Sequence, residues 1–113
     1  MTRKALENHT RDGEANLLMA EILTAQRDYD AAQRHLRGDL CDKPEMLRRL
    51  HALRGKIFAA TGHSTEAISE LLRVIDHDED GSLNYVLARQ YQKLGDEKSA
   101  ALAFERYRRF RPQ

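Results

Sequence analysis

The chain repeats itself with a period of 33 to 35 residues, and a period of that length admits few folds. Three copies align on a turn residue, an alanine five positions on and a large apolar residue four beyond it. They are Arg27–Ala32–Leu36, Gly62–Ala67–Leu71 and Gly95–Ala100–Phe104. Upstream of each turn a small and a large residue recur three apart: Ala20 and Leu23, Gly55 and Phe58, Ala88 and Tyr91. Pro44 and Pro112 each follow their turn residue by 17 positions, where the second copy has Glu79.

The pattern predicts helices over 14–26, 29–39, 45–60, 64–76, 82–93 and 97–109, two per copy with a tight turn between them. Alanine at 67, 88 and 100 suits close helix approach, whereas Phe58, Tyr91 and Phe104 suit gaps that need filling. Gly62 and Gly95 suit turns with a positive φ, and Ser64 and Asp96 suit N-capping of the helices that follow. Few β-branched residues and only two prolines agree with an all-α chain.

These residues resemble the tetratricopeptide repeat. The third copy carries the resemblance best, through Leu87, Ala88, Tyr91, Leu94, Gly95, Ala100, Phe104 and Pro112. The second matches at Gly55, Phe58, Gly62, Ala67 and Leu71, and the first at Ala20, Leu23, Tyr29, Ala32, Leu36 and Pro44. The first departs at Arg27, where glycine is expected, and at Asp39, where a small residue is. The tryptophan that the family carries early in the first helix is absent from all three copies. The resemblance implies three antiparallel helix pairs stacked as a right-handed superhelix, with repeats at 13–47, 48–80 and 81–113. Residues 1–12 then read as the tail of a preceding repeat helix or an N-terminal cap, with Ala5–Asn8 in that helix and a turn at Asp12-Gly13. That placement reads as an excerpt of a longer repeat protein.

The resemblance also implies a function, which is capture of a partner protein segment in a concave groove lined by the first helices. Its inward positions carry over to Glu14, Leu17, Glu21 and Thr24, to Arg49, Ala52, Lys56 and Ala59, and to Ser82, Tyr85, Arg89, Gln92 and Lys93. Of these, Glu21, Arg49, Lys56, Tyr85, Arg89, Gln92 and Lys93 are the candidate groove contacts. Arg49, Lys56, Arg89 and Lys93 suit carboxylates of a partner, and Tyr85 offers a flat apolar surface. The cationic clamp of the subclass that grips chaperone C-termini is not reproduced: its positions hold Leu17, Glu21, Leu53, Ser82 and Val86.

Two alternatives come from the C-terminal end. No polar capping helix follows Pro112, so Leu102, Tyr107 and Phe110 are candidates for self-association or for docking to neighbouring domains. Arg106, Arg108, Arg109 and Arg111 interleave with Phe104, Tyr107 and Phe110, a pattern that also suits a helical repeat binding RNA.

Asp76, Asp78 and Asp80 open a D-x-D-x-D-G run like the start of a calcium loop. The position of the closing bidentate glutamate is Leu87, so the run also reads as a turn that places acid at a helix N-terminus. The net charge of +1 favours no polyanion or membrane surface as partner. One cysteine, Cys41, excludes an internal disulfide. His9, His35, His51, His63 and His77 lack metal-ligand spacing, and no phosphate loop or nucleophile motif occurs. The sequence therefore predicts no enzyme, no cofactor and no transmembrane span.

Overall fold

A computed structural model describes the backbone of residues 3–110 and the side chains of residues 11–110. Among the described residues no strand occurs, and six α-helices form: α1 (Arg3–Ala25), α2 (Tyr29–Arg34), α3 (Pro44–Ala60), α4 (Ser64–Leu72), α5 (Ser82–Lys93) and α6 (Glu97–Arg109). Single 3-10 turns at Gly38–Leu40 and Ile75–His77 follow α2 and α4. The chain divides into two compact units, residues 1–54 and 55–113, with the division inside α3.

The three interhelix turns share one geometry. Arg27, Gly62 and Gly95 have φ of 63°, 83° and 78°. In each case the next amide donates to the carbonyl five residues back: Asp28 to Leu23 at 2.9 Å, His63 to Phe58 at 2.8 Å and Asp96 to Tyr91 at 2.9 Å. This is a helix end closed through a left-handed residue, which satisfies carbonyls the helix leaves free. Glycine adopts it without strain, whereas Arg27 adopts it against the repulsion of its own Cβ. The Asp28 and Asp96 carboxylates then accept from the amides of Ala31 (3.3 Å) and Ser99 (3.1 Å), capping α2 and α6. Hydrogen bonds from Ser99, its side chain first and its amide second, hold the Asp96 carboxyl below its usual pKa. Ser64 does not take the N-cap position expected of it. His63 stands there, and the Ser64 hydroxyl donates to Gln90 Oε1 at 2.9 Å.

In unit 1, α1 packs against α2 and the first 3-10 turn around Leu17, Ala20, Ala32, Leu36 and Met46, all buried. The turn expected at Asp12-Gly13 is not there, because α1 runs through both residues. Gly13 is buried in this helix, where a Cβ would overlap the Leu40 carbonyl oxygen and lie 2.5 Å from Met46 Cε. It serves close packing, not a bend. The α2 helix is also shorter than the expected 29–39. Asp39 thus falls in the 3-10 turn, exposed and bonded to Arg37 at 2.7 Å, so no small residue is needed there.

In unit 2, α5 packs with both α4 and α6. Ala67, Leu71, Val74, Leu83, Leu87, Ala88, Ala100 and Ala103 are buried. The alanines let helices approach closely, and so does Gly55, where a Cβ would sit 2.8 Å from Leu71 Cγ. The α4 helix stops at Leu72, short of the expected 76. The β-branched pair Val74-Ile75 follows, poor helix formers that lead into a 3-10 turn. Asp78 follows this turn and serves the start of α5.

Candidate functional site

The acidic run is organised around that service. Asp78 Oδ1 accepts from the amides of Gly81 (3.1 Å) and Leu83 (3.4 Å). Its Oδ2 accepts from the amide of Asn84 (3.0 Å) and from Asn84 Nδ2 (2.9 Å). Asp80 Oδ1 accepts from the Ser82 amide at 2.9 Å, and this bond holds the Asp80 carboxyl below its usual pKa. Both carboxylates therefore face N–H groups of the first turn of α5, where negative charge also meets the helix dipole. Asp76 lies outside this cap, exposed in the 3-10 turn. No group of His, Cys, Asp or Glu suited to a metal ion occurs among the described residues.

The expected groove residues fall in both units. In unit 1, Arg49 NH2 forms an ion pair with Glu21 Oε1, so each neutralises the other. Glu14 is exposed, Leu17 is buried in the core, and the Thr24 hydroxyl donates to the Ala20 carbonyl at 2.7 Å. In unit 2, Tyr85, Arg89, Gln92 and Lys93 recur at helical spacing along one exposed face of α5. Arg89 and Lys93 have no ion-pair partner among the described residues. Lys56 is half-buried and contributes to the low pKa of Asp80, after the Ser82 hydrogen bonds.

Tyr85 has a second role. Its ring lies 6.2 Å from Phe104 and 5.2 Å from Tyr107, tilted by 70° and 55°. One aromatic cluster thus joins α5 to α6. Of the residues expected to be bare at the C-terminal end, Leu102 and Phe110 are exposed and Tyr107 is half-buried in this cluster. Arg109 bonds Glu105 at 3.5 Å within α6. Pro112 and Arg111 lie outside the described residues. Phe110, Arg106, Arg109, Asp76 and Asn84 line a cavity of about 450 Å³.

Sequence reasoning missed a recurrent polar position. Eleven residues before each turn stand Asn16, His51 and Asn84. Asn16 Oδ1 lies 3.0 Å from His35 Nδ1, which joins α1 to α2 across 19 residues. Nineteen residues beyond Asn84 stands Ala103, with nothing to donate. Asn84 Oδ1 is buried without a hydrogen-bond partner, and the side chain is held through Nδ2 by Asp78 instead. The signal was the shared register itself.

Cys41 is buried, with Sγ 3.5 Å from the Arg37 carbonyl oxygen. Burial raises its thiol pKa, which keeps it protonated and poorly nucleophilic. No described helix is long and apolar enough to cross a membrane. No family model, curated protein or solved structure matches the chain.

Proposed function

We propose that the chain is a protein–protein interaction scaffold of the tetratricopeptide type, and that the exposed face of α5 is its contact with a partner segment. The observation that carries this reading is the row Tyr85, Arg89, Gln92 and Lys93. It combines an aromatic, two cations without ion-pair partners among the described residues and an amide on a helix packed between two others. Rigid helices bind without an ordering cost of their own, so such a row favours a segment with carboxylates spaced along it. The Arg49–Glu21 pair leaves less free charge in unit 1, which moves the weight of the proposal onto unit 2.

Affinity capture with the wild-type chain and an Arg89→Glu/Lys93→Glu variant tests it. Both side chains are exposed, so the variant keeps its helical circular dichroism and melting temperature. The expected result is a protein retained by the wild type and lost by the variant. An identical set of captured proteins would overturn the reading.

A further inference from the structure

Three segments of unit 2 meet at the cavity of about 450 Å³. The 3-10 turn after α4 contributes Ile75 and Asp76, and the start of α5 contributes Asp78 and Asn84. Arg106, Arg109 and Phe110 come from the end of α6, where spacings of three and four put them on one side of the helix. A cavity of this volume falls within the range of small-molecule sites, roughly 300–1,000 Å³.

Its charged groups divide by role. Both oxygens of Asp78 are taken by the amides of Gly81, Leu83 and Asn84 and by Asn84 Nδ2. Asp76 is exposed, with no hydrogen bond or ion pair among the described residues. Arg106 is also exposed and without an ion pair among them, and Arg109 has only the 3.5 Å contact with Glu105. Between these charges stands Asn84, 3% exposed, whose Oδ1 has no hydrogen-bond partner. A buried acceptor in that state gains from any donor that reaches it.

An anion alone would meet the carboxylates beside the arginines, and a cation alone would meet the arginines beside the carboxylates. A molecule that carries both charges suits both. We propose that this cavity binds a small zwitterion, a free amino acid or a short peptide with an aliphatic side chain. Its carboxylate takes Arg106 and Arg109, its ammonium faces Asp76 and donates to Asn84 Oδ1, and its side chain lies against Ile75 and Phe110. The site is separate from the α5 contact face, since Tyr85, Arg89, Gln92 and Lys93 do not line it, so either reading can fail alone.

NMR of the full chain, titrated with L-leucine and with leucyl-leucine, tests the proposal. Saturable shifts of the Asn84 side-chain amide are expected, and the tighter ligand tells whether the site takes an amino acid or a peptide. The N-acetyl form of that ligand lacks the ammonium and its C-terminal amide form lacks the carboxylate. Each is expected to bind at least about tenfold more weakly. Arg106→Gln/Arg109→Gln weakens the zwitterion by a similar factor without weakening the amide form. Arg108→Gln, at an exposed arginine that does not line the cavity, changes neither. All three arginines are exposed, so circular dichroism melts of these variants match the wild type. Absence of saturation up to the order of 10 mM of either zwitterion would overturn the proposal. So would equal binding by the blocked forms, or an equal loss in Arg108→Gln.

Discussion

The first helix pair turns through Arg27 at a φ of 63° and the third through Gly95 at 78°, closed by the same hydrogen bond to the carbonyl five residues back. Elsewhere the two pairs diverge. Fourteen residues before each turn stands a glycine, Gly13 or Gly81. Gly13 lies inside a helix of 23 residues, whereas Gly81 has a φ of 86° and stands at the N-cap of a helix of 12. The difference traces to the residue three positions earlier. Asp78 caps α5, while its counterpart is Thr10, which carries no carboxylate. One template thus accommodates a continuous helix or a capped start, depending on whether an acid is present to receive the amides.

That contrast is testable at its two caps. Asp78→Ala leaves three buried residues at the start of α5 without their acceptor and is expected to cost about 3 kcal/mol, because buried unsatisfied donors carry their full desolvation penalty. Asp28→Ala, which removes one exposed cap, is expected to cost about 1 kcal/mol. Urea denaturation of the two variants measures both, and equal losses would undo the contrast.

The glycines come next. Gly13→Ala forces the Leu40 carbonyl and α1 apart and is expected to cost about 2–3 kcal/mol by overpacking. Gly81→Ala has a different origin, a left-handed φ and a Cβ 3.0 Å from Tyr107, with an expected cost of about 1–2 kcal/mol. A near-neutral Gly13→Ala would show that α1 does not lie tightly on the Leu40 turn.

The smallest effect tests the turns. Arg27→Gly relieves left-handed strain but loosens the unfolded chain, so a net gain of about 0.5 kcal/mol is expected in the same assay. A loss would mean that the arginine side chain contributes contacts of its own.

Much of this was legible in the residues. The helix boundaries around all three turns follow from the spacing of turn residue, alanine and large apolar residue, and α5 and α6 match the expected 82–93 and 97–109. Asp96 as a cap followed from its place after a turn glycine, and Asp28 was readable by the same rule once Arg27 was accepted as a turn residue. Arg89, Gln92 and Lys93 were named through the resemblance, and the structure shows only that they are exposed at helical spacing on α5. Tyr85 was not legible in full, since its contact with Phe104 and Tyr107 depends on how α6 packs. The Arg49–Glu21 pair joins residues 28 apart, beyond the reach of any local rule.

Residue order alone makes the chain helical, sets its turns in a recurring register and puts alanine where helices pack closely. Those properties rest on local propensity and on the period of apolar residues. The remainder depends on packing. Asp12-Gly13 stays helical because Gly13 lies against Leu40 and no acid caps a new start. The D-x-D-x-D-G run becomes a helix cap because its carboxylates reach amides two to six residues ahead. Leu18 and Ile22 stay bare although Leu53 and Ile57, at the same distances before the next turn, are covered. Burial depends on which element packs over a residue, and a repeat pattern specifies the face without specifying its cover.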